Sequence, residues 1–446
     1  MELRHPGAED LAVAPAVGPV GAVDGTGAVP DAVAPPRGNP RFPLLDGTRA
    51  IAALLVVGTH AGSISTFSET NALGGLTARM NVGVTLFFVL SGFLLYRPYV
   101  AARMQGRPAI RLGPYLWRRA LRIIPAYWVA LTLLALWPGL VGFWEGDWWK
   151  AYLFVTVYSK DTFFLGIEPA WSLCVEVTFY LLLPLIAAGI GRVAGRSVRT
   201  ELAVLGALAV ASIVARGLVP LDGMIHNTIL CLFAWFAAGM ACATVSVAAE
   251  GREERSAPLA FVRRRPGLLW AAAGVVYLVC AYGLDLPRGM AFPDTRAQFL
   301  AEHVLLLVFA VLLLAPAIFG DHGGGLPRRL LAHRVAGWLG LISYGLFLWH
   351  MPLMRWLSRE GADTWIPGSG VVWLTIFTLA LAVPAAAASY YLVERPLLRL
   401  KGRGSSASTR RRAEVASAPD AAAATARHAT EFSGSASAAS RASSSA

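Results

Sequence analysis

Charge is scarce in this chain. Lys, Arg, Asp and Glu make up 15% of its 446 residues, against about a quarter in ordinary soluble domains, which argues against a soluble globular enzyme. Cysteine is nearly missing too. Cys174, Cys231, Cys242 and Cys280 are the four present. All fall in apolar runs without metal-like spacing, so they read as small buried hydrophobes, and neither a disulfide framework nor a zinc site is expected. The start of the chain lacks the cationic head and compact apolar core of a signal peptide, so the first apolar span should be retained. No internal repeat is visible.

What the chain has instead is hydrophobic residues, 56% of the total. Runs of about 20 apolar residues, enough to cross a bilayer core, occur at 47–66, 82–101, 120–140, 170–190, 200–219, 226–247, 267–284, 297–319, 335–357 and 370–393. Their edges are least sharp between 200 and 319. The fold class expected is an all-α polytopic membrane protein with ten transmembrane helices. The segment 152–158 is too short to span and should lie at the interface or re-enter.

A basic excess, 39 Lys and Arg against 27 Asp and Glu, suits nucleic acid in a soluble protein. Its placement here argues otherwise. With connecting segments alternating in side, 30 of the 39 fall on one side with both tails, 8 on the other, and Arg49 within the first span. The positive-inside rule makes the rich side cytoplasmic, and ten spans return both termini to it. The bilayer, not nucleic acid, is the expected partner. Residues 1–40, rich in Ala, Val, Pro and Gly, should form a disordered tail, as should the Ser/Ala/Arg-rich residues 401–446. Residues 41–400 form one transmembrane domain between them.

Arg49 and His60 are the only ionisable side chains in the stretch 47–65, and such groups inside a spanning helix suggest function. Eleven helical steps return them to nearly one face, about 16 Å apart along the axis. Asp46 sits where an N-cap belongs and is positioned to pair with Arg49 one turn on. By depth, His60, Glu176 on the fourth span and His350 on the ninth share one level toward the outer side, which favours a common polar pocket. On the inner side, Arg118, Arg119 and Arg122 lead into the third span. Arginine forks suit phosphate, although basic helix ends also serve as plain topology anchors. A cytoplasmic basic mouth thus fits a phosphorylated donor, and the outer pocket holds an imidazole fit to deprotonate an acceptor hydroxyl. Glu176 would orient that imidazole; spacing leaves a covalent histidine intermediate open.

The remaining candidates read more blandly. Ser91 and Gly92 suggest a close-packing notch rather than a nucleophile. His226, His303 and His333 sit near span ends and should be solvated, and Glu302 beside His303 makes a weak pair. Trp144, Trp148, Trp149, Tyr152 and Tyr158 read as an interfacial aromatic belt.

The blocks LLDGTRAIAALLVVGTHAG (44–62), VGVTLFFVLSGFLLYRP (82–98), WRRALRIIPAYW (117–128), PAWSLCVEVTFYLLLPL (169–185), ISYGLFLWHMPLM (342–354) and VERPLLRL (393–400) together resemble the membrane-bound acyltransferase family 3. The middle spans, 200–319, resemble it in hydropathy alone. The resemblance implies acyl transfer from acyl-CoA, usually acetyl-CoA, to a hydroxyl of a sugar, glycolipid, polymer or small natural product. The donor would be a substrate, with no permanently bound cofactor and no metal. His60 and Arg49 would lie at the catalytic centre, supported by Glu176, Arg119 and Arg122, with Arg118 beside them and His350, Trp171 and Ser91 lining the pocket. Members often carry an extra hydrolase-like domain, and here tails flank the membrane domain. A plasma-membrane location is expected. A proton-coupled transporter using His60, Glu176 and His350 as a relay remains the alternative, although transporters more often show repeated halves with broken helices.

Overall fold

A computed structural model describes residues 42–221, 224–250, 256–289, 293–319 and 325–402. The expected tails, 1–40 and 401–446, lie outside this set except for Lys401 and Gly402, which end a short 3₁₀ turn. Among the described residues there is no strand. Nine helical segments are long and apolar enough to cross a membrane, and a bent pair, Leu326–Ala332 with Arg334–Arg359, supplies a tenth at a 53° break.

The ten spans are α1 (Pro43–Ile64), α2 (Val82–Met104), α3 (Leu112–Leu136), α4 (Trp171–Ala194), α5 (Val198–Leu218), α6 (Ile229–Ala249), α7 (Pro266–Leu278, ending in a π turn), α8 (Arg296–Ile318), α9 (Arg334–Arg359) and α10 (Gly370–Ser389, also running into a π turn). Each overlaps its expected run. α3 differs most, beginning at Leu112 rather than 120. Arginine is a good helix former although it is poor in any hydropathy scan, so the helix continues through Arg118, Arg119 and Arg122 where the apolar signal stops.

Asp46 is not the N-cap of α1. Phe42 holds that position, Pro43 opens the helix, and Asp46 falls in its first turn. Proline at a first helical position loses nothing, because that N–H has no intrahelical partner. Asp46 forms no ion pair with Arg49.

Small residues set the closest helix crossings, as expected where lipid supplies no hydrophobic drive between helices. A Cβ on Gly92 of α2 would stand 2.2 Å from the Phe236 carbonyl of α6, and one on Gly239 of α6 would stand 2.0 Å from the Val89 carbonyl of α2. Gly92 is thus a close-packing notch, as read from the sequence. Around this crossing, Phe88, Phe179 and Phe236 stack with centroids 4.2–4.6 Å apart. A buried polar knot ties α2, α5 and α6 on the arginine-rich side. Glu201, fully buried, accepts from Tyr96 (2.6 Å) and Thr244 (3.0 Å) and pairs with Arg103.

On the opposite side, the segment 152–158 contains no helix long enough to span. It folds as short turns over the helix ends, burying Phe154 and Val157. Trp144, Trp148 and Trp149 remain exposed along its rim. Two of the histidines expected in solvent are inside: His226 and His303 are each 1% exposed, His303 stacked on Trp235 at 4.5 Å. His226 meets Phe299 in a T-shaped contact at 5.1 Å, so aromatic neighbours on the spans cover both rings. His333 is exposed and caps α9, its Nδ1 accepting from the Val335 N–H. Glu302 pairs with Arg79 rather than with its neighbour His303.

Candidate active site

A cavity of about 680 Å³ opens among α1, α2, α3, α4 and α9, lined at its polar wall by Arg49, Ser91, Arg122, Ser172, Glu176 and Tyr180. The helices that meet there explain the grouping. α1 packs on α9 and on α2, while α4 touches α2 and α3. Arg49, two turns into α1, and Arg122, three turns into α3, reach it from the arginine-rich end. Neither guanidinium has a hydrogen-bond or ion-pair partner among the described residues. Two such cations facing one cavity inside a membrane domain are expensive unless an anion is bound there.

Glu176 is held from two helices. Its Oε1 accepts from the Ser91 hydroxyl of α2 and from the Tyr180 hydroxyl one turn along α4, at 2.5 Å in the second case. The other carboxylate oxygen has no protein partner. Arg119 lies alongside, its guanidinium 5.9 Å from the Tyr180 ring centroid. Arg118 is half-buried and does not line the cavity. Trp171 also stands apart, stacked on Phe163 at 5.9 Å, while its neighbour Ser172 faces the cavity. Tyr180, Ser172, Ser343 and Tyr344 lie within the blocks that carry the family resemblance but have no site role assigned from sequence; Tyr180 also stands at i,i+4 from Glu176.

The three groups expected to share one pocket divide into two sites. His60 pairs with His350, Nδ1 to Nε2 at 2.9 Å, with ring centroids 5.2 Å apart. Glu176 touches neither and joins Ser91 and Tyr180 instead. Glu176 lines the cavity with Arg49 and Arg122, which neither histidine does, so the expected common level does not hold for it, and rotation about each helix axis decides which neighbour a side chain meets. The hydrogen-bond partner of His60 is therefore His350, not Glu176.

The histidine pair has an internal direction. The Leu346 carbonyl, which can only accept, lies 3.0 Å from His350 Nδ1, so that nitrogen carries the proton. In the neutral ring Nε2 is then an acceptor, and it receives the His60 Nδ1–H. His60 Nε2 keeps its lone pair, as a general base requires. His350 is fully buried, whereas His60 is partly accessible.

Cavity and pair are adjacent. Phe347 closes the cavity wall on α9, and its ring centre is 6.1 Å from that of His350 one turn on. Neither His60 nor His350, which was expected in the pocket, lines the cavity itself; Arg49 at the cavity and His60 beyond its Phe347 wall lie on one helix. The anion-seeking end lies toward the arginine-rich side and the base toward the other. That geometry can hold a phosphate-bearing molecule by one end and present a group at its far end to an imidazole.

A family model described as an acyltransferase domain matches residues 42–391. The chain is 24% identical over 379 residues to the peptidoglycan O-acetyltransferase OatA of Listeria monocytogenes, covering 80% of this chain and 55% of that protein. The putative peptidoglycan O-acetyltransferase YrhL of Bacillus subtilis matches at the same identity and coverage. Acyltransferase MdmB of Streptomyces mycarofaciens is 26% identical over 409 residues, 86% of this chain and 97% of that protein. The chain spans about half the length of the two peptidoglycan relatives. No solved structure matches it. With the match running through α1 to α10 and across both the cavity and the histidine pair, the chain belongs to the acyltransferase 3 family.

Proposed function

We propose that this chain is a multi-pass O-acyltransferase of the plasma membrane. It moves an acyl group, acetyl in the first instance, from cytoplasmic acyl-CoA to a hydroxyl of a carbohydrate, glycolipid or small natural product. The observation that carries the reading is a cavity with two unpaired guanidiniums, Arg49 and Arg122, ending one helical turn from a histidine pair with a free nitrogen. The names of the relatives, peptidoglycan O-acetyltransferase and acyltransferase, support acetyl as the group and a carbohydrate as one acceptor class. The excess of arginine on the Arg49 side supports its cytoplasmic orientation.

In this reading Arg49 and Arg122 hold the donor's phosphates, with Arg119 next to them, because a planar fork binds phosphate oxygens two at a time. The donor's thin arm lies along the cavity past Glu176, whose charge offsets part of the arginine field. At the far end His60 Nε2 takes the proton of the acceptor hydroxyl as its oxygen attacks the thioester carbon. The His60 imidazolium so formed is stabilised through Nδ1–H by His350. Collapse of the tetrahedral intermediate breaks the carbon–sulfur bond. The thiolate leaves, taking up the proton from His60, and the products are an O-ester and free CoA. His350 acts through His60 and is a positioning residue.

The test is acetyl transfer by the purified chain in lipid nanodiscs, with labelled acetyl-CoA and an oligosaccharide acceptor. His60→Ala should lower ester formation on the order of 10²–10⁴-fold, the usual contribution of a positioned base. Ester formation that persists in His60→Ala at the wild-type rate overturns the assignment.

A further inference from the structure

A second cavity, about 400 Å³, lies on the far side of the histidine pair from the arginine-lined one. Gly139, Phe164, Glu168, Met351, Arg355 and Arg359 are among its lining residues. Along α9, Phe347 faces the first cavity, His350 follows, and Met351 and Arg355 face the second. Residues 347, 351 and 355 are each four apart and share one helix face. The catalytic imidazoles are thus bracketed, with an arginine-lined cavity on either side.

The polar groups of the outer cavity are unbalanced. Arg355 and Glu168 form an ion pair, Nη2 donating to Oε2 at 2.7 Å while Nε lies against the other oxygen without a hydrogen bond. Arg359, exposed at the end of α9, has no hydrogen-bond or ion-pair partner among the described residues. The Arg355 side chain is 42% accessible and that of Glu168 23%, so this pair is solvated and exchangeable rather than a fixed buried tie. A carboxylate already engages one guanidinium here, and a second guanidinium beside it stands empty. That is the constellation expected for reading one anionic group of an incoming molecule.

We propose that the outer cavity is the acceptor subsite, and that it selects hydroxyl-bearing acceptors carrying a carboxylate or phosphate. Arg359 and Arg355 engage that anion, and Glu168 is an internal competitor that yields Arg355 on binding. The proposal rests on the acyl-transfer reading above and adds the class of acceptor to it. It accounts for the position of the cavity, which meets α9 at Met351 and Pro352, directly after His350.

Three oligosaccharides of equal ring number separate the outcomes: one with a uronate carboxylate, one with a phosphate monoester, and one neutral. Each is offered with labelled acetyl-CoA to the wild-type chain in nanodiscs. The wild type should show a lower KM for one or both anionic acceptors than for the neutral one, and the better of the two identifies the anion. Arg359→Gln should raise that KM about tenfold, equivalent to about 1.4 kcal/mol, with a smaller effect on the neutral acceptor, and Arg359→Lys should recover part of it. Glu168→Gln should lower the same KM, because Arg355 is released. Equal preference for charged and neutral acceptors, or equal effects of Arg359→Gln on both, overturns the subsite. So does His60-dependent turnover of acetyl-CoA with no ester on either anionic probe. Turnover that does not depend on His60 overturns the acyl-transfer reading instead, and this proposal with it.

Discussion

The chemistry at residue scale turns on which side chain answers which. In the proposed mechanism His60 acts as a base through the Leu346–His350 chain of hydrogen bonds, which fixes both tautomers. Replacing His350 by Ala removes the acceptor for the His60 Nδ1–H. A hydrogen bond to a charged group is worth about 1.5–3 kcal/mol, so kcat should fall roughly 10–100-fold with little change in KM for acetyl-CoA. His350→Gln, whose amide oxygen still accepts, should recover part of the rate, and steady-state kinetics on the three proteins checks both. Glu176 answers a different pair, Ser91 and Tyr180. The sequence revealed Arg49, His60 and Glu176 as expensive groups within apolar runs. It could not reveal that His60 would face α9 while Glu176 faces α2, since that depends on how each helix is rotated against its neighbours.

At the scale of elements, glycines and one buried carboxylate hold the helices in register. The reciprocal approach of Gly92 and Gly239 fixes α2 against α6. The same α2 presents Ser91 to Glu176, so the notch and the site geometry are one feature. About three helical turns along α2 toward the arginine-rich side, Arg103 and Glu201 tie α2 to α5. Removing one member of such a buried pair leaves its partner uncompensated, at a cost of about 3–5 kcal/mol. Arg103→Ala should therefore lower the thermal unfolding temperature in detergent markedly. Replacing both residues with apolar ones, Arg103→Met with Glu201→Leu, should restore much of it. An unfolding temperature for Arg103→Ala equal to the wild type would show that the pair contributes nothing net. Helix boundaries were legible to within a few residues except in α3, where arginines continue the helix beyond the apolar run.

Across the whole molecule, the two ends of the domain differ in charge and in use. The Arg49 end carries most of the cationic residues, and the other carries the aromatic rim and the Glu168–Arg355 cavity. Asp161 on that second end and Arg196 at the first are both exposed. Three of the four native cysteines are buried, so background labelling should be low. In intact cells, Asp161→Cys should react with a membrane-impermeant maleimide, and Arg196→Cys should react only after permeabilisation. The reverse pattern would place the arginine-lined cavity outside and rule out a cytoplasmic donor.

The sequence by itself determined the number of spans and their order, because hydropathy over runs of about 20 residues is a property of the chain alone. Tertiary structure alone decided the partners: His350 rather than Glu176 for His60, Ser91 and Tyr180 for Glu176, and Arg359 left open beside a paired guanidinium. Those depend on the rotation and crossing of helices drawn from distant parts of the chain. Rotation is set by where small residues let backbones meet, and no local pattern records which surface that will be.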